Sequence, residues 1–234
     1  MIDFHSHILP EIDDGSSSVE ESIALLRLLR DQGVSCVCAT PHFDAISDTP
    51  SAFIKRRDSA YRRLLRVIGT KEPPCIILGS EVMYFPGICN MSTLDSLCFE
   101  GSKYLLLEMQ ERPWSDYTVD ELVRLTLSGK IKLVLAHIER YLPFQRAHTF
   151  DKLRSFGVLM QSNASFFINK KTRRTALSML KKGEINFLGT DCHNLLTRPP
   201  RYNEAMEIIR GKFGNKFKLN ILDKVSSRLS VEQK

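Results

Sequence analysis

The chain opens MIDFHSHILPEIDDG (Met1–Gly15), and the reading of this stretch sets the reading of the rest. Met1 to His5 has the composition of a short strand. Alternate side chains of a strand share a face, so Asp3, His5 and His7 are expected to point the same way. Two imidazoles at i and i+2 can then grip one metal ion from a strand end. Pro10 and the Asp13, Asp14, Gly15 run end the strand and turn the chain so that another carboxylate comes back. A lone His-x-His is unspecific. It gains weight only if further His, Asp and Glu residues stand at other strand ends.

They do. A helix is predicted over 19–32, capped by Ser16, Ser17 or Ser18 and followed by Gly33. The small apolar run 34–40 reads as a strand buried on both faces and leads straight into Pro41 and His42. After a helix over 51–68, a strand over 75–79 delivers Glu81, and one over 103–107 delivers Glu108. A helix over 119–128 precedes a strand over 131–136 that delivers His137. A sixth strand, 158–161, ends at Ser162 and Asn163. The seventh, 186–190, delivers Asp191 and His193. Helices are expected over 172–182 and 203–212, with a helical or frayed end after them. Strand and helix alternate with no linker and no internal repeat, which predicts one α/β domain over 1–234. Seven strands that each end in a polar residue predict a distorted TIM-like (β/α)7 barrel, because a barrel gathers its C-terminal strand ends on one face. A doubly wound sheet would gather site residues at a switch point instead.

Composition bounds the function. Hydrophobic residues make up 43% and charged residues 26% of the 234, the profile of a globular chain with a sizeable core. No apolar run reaches the roughly 18 residues of a membrane span, so no membrane insertion is expected. Asp3 and two histidines stand where a signal peptide would place a basic and then an apolar region. Six cysteines without framework spacing read as reduced thiols in a cytoplasmic protein. Cys36 and Cys38 share a predicted buried face and read as core. The net charge of +6 raises nucleic acid as a partner. The cations are spread over 55–66 and 170–182, however, where solvated helix faces account for them, so no nucleic acid is expected.

The barrel reading brings His5, His7, Asp14, His42, Glu81, Glu108, His137, Asp191 and His193 to one mouth. Each alone is unremarkable as a hydrogen-bonded strand-end residue. Nine together are not, since clustered buried carboxylates repel one another without a cation. Oxygen and nitrogen donors without thiolate suit Mn²⁺, Fe, Zn²⁺ or Mg²⁺. Nine donors are too many for one ion, and two or three bridged by carboxylates would share them.

The motifs D-x-H-S-H-I-L-P-x-x-D-D-G (3–15), A-T-P-H (39–42), G-x-E (79–81), A-H-x-E-R-Y (136–141) and D-x-H-N (191–194) resemble those of the PHP (polymerase and histidinol phosphatase) superfamily. The nearest likeness is to the bacterial manganese-dependent protein-tyrosine phosphatases of capsular and exopolysaccharide operons. The motifs keep the family's order and span residue 3 to about 200. The resemblance implies three metal ions, most simply Mn²⁺, held by the nine residues above. It also implies phosphate binding by Arg140 and Arg198, a role that suits the planar fork of a guanidinium. Either arginine could instead be a surface residue paired with a neighbouring acid. The implied activity is metal-assisted hydrolysis of phosphotyrosine without a covalent phosphoenzyme, on a partner such as a bacterial tyrosine autokinase. Ile138 and Phe43 depart from the family pattern, which commonly has Pro and His there. A histidinol-phosphate phosphatase or a nucleic-acid-processing PHP domain is the alternative, and oligomerisation stays open. One pattern competes: Cys192 to Arg198 fits the C-x5-R spacing of cysteine-dependent phosphatases. Its two leucines and lack of glycine argue against a phosphate-cradling loop.

Overall fold

A computed structural model describes residues 1–68 and 74–214, so the expected helical or frayed end beyond 214 lies outside the described residues. Strand β1 (Ile2–Ser6) is followed by α1 (Val19–Asp31), whose N-cap Ser18 accepts a hydrogen bond from Glu21 N. Leu25, Leu26 and Leu29 make the buried side of α1. Then come β2 (Cys36–Ala39), β3 (His42–Phe43), α2 (Pro50–Ile68), β4 (Cys75–Leu78) and β5 (Glu81–Met83). The chain continues with β6 (Tyr104–Glu108), α3 (Asp116–Leu127), β7 (Lys132–Leu135), α4 (Ala147–Ser155) and β8 (Leu159–Asn163). It closes with α5 (Ala164–Ile168), α6 (Arg173–Lys181), β9 (Phe187–Gly189) and α7 (Tyr202–Phe213). Helix α3 starts a turn earlier than its apolar pattern suggests because Ser115 caps it, accepting from Thr118 N. Among the described residues no helix is long and apolar enough to cross a membrane.

Every pairing is parallel, in the orders β1-β2-β4 and β3-β5-β6-β7-β8-β9. Nine segments therefore fill seven positions. The chain breaks at Thr40 and Pro41 between β2 and β3, and at Gly79 and Ser80 between β4 and β5. Above the breaks β3 pairs β5 as β2 pairs β4 below them, β5 gains β6 as a second neighbour, and His42 and Glu81 become a register pair. The curled sheet comes back on itself at the mouth, where Ser6 bridges Cys192 and His7 N donates to Cys192 O at 2.9 Å. This is the distorted α/β barrel that the strand pattern implied.

Two apolar layers hold it. Ile2, Phe4, Cys38, Leu106, Val134 and Phe187 belong to the cluster inside the sheet, with Phe4 stacked on Phe187 at 4.4 Å. Val37, Leu105, Leu107, Leu133, Leu135 and Leu188 pack outward against the helices. Strict alternation in β1 does not hold. Its register against β2 slips between Asp3 and Ser6, a bulge that lets Phe4 fill the core while His5 turns toward the mouth. Asp3 consequently does not join His5 and His7. It accepts from Thr190 N at 2.8 Å and Thr190 Oγ1 at 2.5 Å, tying β1 to the end of β9.

The reading of six reduced thiols is corrected at two positions. Cys36 and Cys75 are register partners on β2 and β4, with Cα atoms 4.4 Å apart, and they form a disulfide. Spacing in sequence carries no register, so the pair was invisible there. Cys38, Cys89, Cys98 and Cys192 are free cysteines. Cys36 and Cys38 do lie together in the inner core.

Candidate metal centre

The chain has six histidines, and all but His148 meet at the mouth. Glu81 is the hub. Its Oε2 lies 3.1 Å from His5 Nε2, 3.3 Å from His7 Nε2 and 3.2 Å from His42 Nδ1, while Oε1 lies 2.8 Å from His137 Nε2. Glu108 approaches His137 at 3.4 Å and His42 at 3.8 Å. Asp191 Oδ1 stands 3.5 Å from both His5 Nε2 and His7 Nε2. Asp14, 65% exposed, arrives from the first loop and stands 3.4 Å from His42 and from His193. Three sets have donor atoms all within 4.8 Å of one another: His7, Asp14, His42, His193; His5, His7, Glu81; and His42, Glu81, Glu108. The structure therefore brings all nine sequence-nominated residues into one cluster, and His7, His42 and Glu81 each belong to two sets.

The donors fit cations better than they fit one another. Glu81 Oε2 and His193 Nε2 are buried without a hydrogen-bond partner. For Glu81 the three imidazole nitrogens are near enough but wrongly angled to donate, as expected of atoms aimed at a common point between them. His5 Nε2 and His7 Nε2 also face each other at 3.1 Å. Buried polar atoms are seldom left unpaired, and divalent ions bound by these nitrogen and oxygen donors would satisfy both orphans.

A second ring of residues fixes the imidazoles from behind. His7 Nδ1 meets Asp13 Oδ2 at 2.8 Å, and the same oxygen accepts from His42 N. His5 Nδ1 meets Gln161 Oε1, which also accepts from His137 N at 2.6 Å. Gln161 Nε2 donates to Asn163 Oδ1, and Asn163 Nδ2 donates to Asp191 Oδ2. His137 Nδ1 meets Tyr141 Oη at 3.1 Å. Gln161 and Tyr141 escape sequence reading because only their four-residue or longer-range spacing to His137 relates them to the site. Glycine makes room for the first loop: a Cβ at Gly15 would run into His7 O and lie 2.6 Å from His7 Cβ. His137 (φ 30°) and Asp191 (φ 53°) both adopt left-handed backbone, a strain that persists only where surroundings impose it.

Charge follows the geometry. Burial would push the Glu81 carboxyl up, but the nearby His5, the hydrogen bond from His137 and the close approach of His7 hold it well below the usual carboxylate range. Burial opposes a charged His137 too, yet its bonds to Glu108 and Glu81 raise it to about 9. Burial and the neighbouring His7 lower His193 to about 4. In the metal-free chain the raised His137 value stabilises the fold below the unfolded value of about 6.5, and that gain is lost as pH climbs through about 9. A cation bound by His137 would run the other way, since it would have to displace that proton. Mn²⁺ affinity is expected to rise with pH up to about 9, with protons released on binding. Calorimetry in buffers of differing ionisation enthalpy measures both, and a pH-independent affinity with no proton release would remove His137 from the set.

The two arginines also converge. Arg140 Nη2, from the turn after His137, and Arg198 Nη2, from the loop before α7, each lie 2.7 Å from Asp191 Oδ2. Arg140 Nη1 reaches Glu108 Oε1 at 3.5 Å. Both side chains are about one-third exposed, so they border the cluster and face solvent. Cys192 is different. It is fully buried, and burial together with the Asp3 carboxylate pushes its thiol well above the ordinary range, so it offers no thiolate. Cys192→Ser is expected to keep most activity and remain sensitive to chelator. Loss of activity in that variant, with chelator resistance in the wild type, would restore the C-x5-R reading.

The profile of the family described as capsular polysaccharide synthesis, CpsB/CapC, matches residues 1–229. The chain belongs to the CpsB/CapC family. The tyrosine-protein phosphatase YwqE of Bacillus subtilis is 28% identical over 223 residues, covering 92% of this chain and 86% of YwqE. The tyrosine-protein phosphatase CpsB of Streptococcus pneumoniae is 30% identical over 239 residues, covering 92% of each. A chain from the crystal structures of YwqE and CpsB, described as unique metal-dependent tyrosine phosphatases, matches with a TM-score of 0.78 at 25% identity. That match covers 92% of this CpsB/CapC member and 89% of the solved chain. The histidinol phosphate phosphatase of Lactococcus lactis shares the fold, with a TM-score of 0.56 at 12% identity over 90% of this chain and 92% of that one.

Proposed function

We propose that this chain, residues 1–234 acting as one domain, is a metal-dependent protein-tyrosine phosphatase. The observation that carries the reading is the cluster around Glu81, with its two partnerless buried donors and two arginines converging at its rim. His5, His7, Asp14, His42, Glu81, Glu108, His137, Asp191 and His193 would hold the cations, which we take to be three Mn²⁺. Bound there, divalent ions supply Lewis acidity toward phosphoryl oxygens and an acidified water. Arg140 and Arg198 orient the phosphate and neutralise the charge that grows on its oxygens. Asp13, Gln161 and Tyr141 hold the imidazoles in the tautomers that leave the inward nitrogens free to bind. A phenolate departs more readily than an alkoxide, so the absence of a dedicated acid in the described cluster is no obstacle.

The substrate is a phosphotyrosine protein, a bacterial tyrosine autokinase of the capsule machinery being the candidate, in the cytoplasm and with no nucleic acid involved. The test compares turnover of a phosphotyrosine peptide, histidinol phosphate and single-stranded DNA with Mn²⁺. The peptide is expected to be hydrolysed fastest and chelator to stop it. Equal or faster turnover of histidinol phosphate, or cleavage of DNA, would overturn the reading.

A further inference from the structure

Beside the metal cluster, and sharing only Arg140 with the residues already assigned, lies a cavity of ≈ 440 Å³. Its lining includes Arg140, Ser165, Phe166, Asn169, Thr172 and Arg201. Ser165 and Asn169 stand one helical turn apart along α5 and its cap, so they share a side. Phe166 supplies an apolar wall and is itself 5% exposed.

The polar groups here are donors with little left to bind. The Ser165 hydroxyl and Asn169 Nδ2 have no partner among the described residues, whereas Asn169 Oδ1 is occupied by Lys171 N at 2.9 Å. Arg201 gives Nε and Nη2 to Glu204 at 2.8 and 2.7 Å, leaving Nη1 without a partner among the described residues. The one acid in the lining, Glu139, is turned inward: Oε1 accepts from Asn163 N at 3.0 Å and Oε2 is sealed from solvent. Asn169 and Thr172 of the lining belong to the chain segment Asn169, Lys170, Lys171, Thr172, Arg173, Arg174. Arg173 bends back onto the carbonyls of Phe167 and Ile168. Lys170, Lys171 and Arg174 are exposed and form no ion pair with a described residue. Apart from Glu139 Oε2, which is buried and has no hydrogen-bond partner, the lining offers the free donors of Ser165, Asn169 and Arg201 to whatever enters.

Resting on the phosphatase reading above, we infer that this cavity receives a carboxylate side chain flanking the phosphotyrosine of the substrate. Arg140 couples the two places, with its guanidinium at the rim of the metal cluster and its side chain in the cavity wall. A segment whose phosphate lies at Arg140 passes the cavity with its neighbouring residues. The volume holds an aspartate or glutamate with water, and hydrogen bonds from Ser165 and Asn169 to an ionised group are of the stronger, charge-assisted kind. Because the site is open to solvent, the attraction is modest and salt-dependent.

The experiment measures kcat/KM with Mn²⁺ for phosphotyrosine peptides carrying a single glutamate, glutamine or second phosphotyrosine at each near position on either side. At one position glutamate is expected to exceed glutamine by about fivefold, the scale of one exposed charge pair. That ratio should shrink in high salt and fall to unity or below in Arg201→Glu and, independently, in Asn169→Asp. A ratio of unity at every position, with all peptides hydrolysed, would overturn this inference and leave the phosphatase reading standing. So would a response to the second phosphotyrosine with none to glutamate. Failure to hydrolyse any peptide would instead bring down the phosphatase reading itself.

Discussion

Glu81→Gln is expected to reduce turnover of a phosphotyrosine peptide by about 100-fold or more, the scale of losing one electrostatic stabiliser of the transition state. The number of Mn²⁺ ions retained per chain should fall with it. Glutamine keeps the volume and one oxygen but removes the charge from the residue that four imidazoles surround, His5, His7, His42 and His137. It also places an N–H₂ donor where the buried Oε2 has no hydrogen-bond partner. A donor aimed at a cation site repels the cation, so the loss should exceed that of an ordinary buried carboxylate. Metal content after gel filtration, measured by elemental analysis beside the steady-state rate, separates the two effects. Full metal occupancy with normal turnover would show that the cluster is not organised around Glu81. Circular dichroism guards against a trivial result, and Glu81→Asp, which keeps the charge with a shorter reach, is expected to lie between.

Glu81 also shows what the sequence could and could not disclose. Its place after an apolar strand was legible, as were those of His42, Glu108, His137 and Asp191, because a parallel barrel turns strand ends into one surface. The two-residue β3 and three-residue β5 were not, since runs that short carry no periodicity. They are what sets His42 opposite Glu81. Helices α4 and α5 went unseen for related reasons: α4 offers only Phe150 and Leu153 as buried apolar residues, and α5 is five residues of nearly continuous apolar chain. The β1 bulge escaped because the alternation of Asp3, His5 and His7 looks regular in sequence. Only pairing with β2 reveals the slip that separates Asp3 from the two histidines. The Cys36–Cys75 disulfide is likewise a fact of register. Local chemistry was readable, and relations across strands were not.

Gly189→Ala is expected to be strongly damaging although it lies outside the nine residues. A Cβ at position 189 would lie 2.5 Å from His5 Cβ, 2.9 Å from His5 N and 2.8 Å from Gln161 Nε2. Two of these contacts involve the β1 chain and first side-chain carbon, which have no flexible end to swing aside. The strands must separate, and overpacking of this kind costs about 1–3 kcal/mol. The damage reaches the cluster because the seam it opens is the one that closes the barrel: Asp191 N donates to His5 O at 2.8 Å, and Thr190 is held by Asp3. His5 would move away from Glu81, and Gln161 would lose its grip on His5 Nδ1 and His137 N together. Loss of stability and loss of metal should therefore appear in one variant. Thermal unfolding with and without Mn²⁺ reads both: the apparent Tm of the metal-free protein should fall, and the rise on adding Mn²⁺ should shrink, because stabilisation by a ligand tracks its affinity for the folded state. Gly183→Ala is the control, as a Cβ there meets nothing within 4 Å although its φ of +72° imposes backbone strain. It should lower the Tm yet leave the Mn²⁺-dependent rise intact. Equal shrinkage of that rise in both variants would mean that general destabilisation, not the β1–β9 seam, controls the metal.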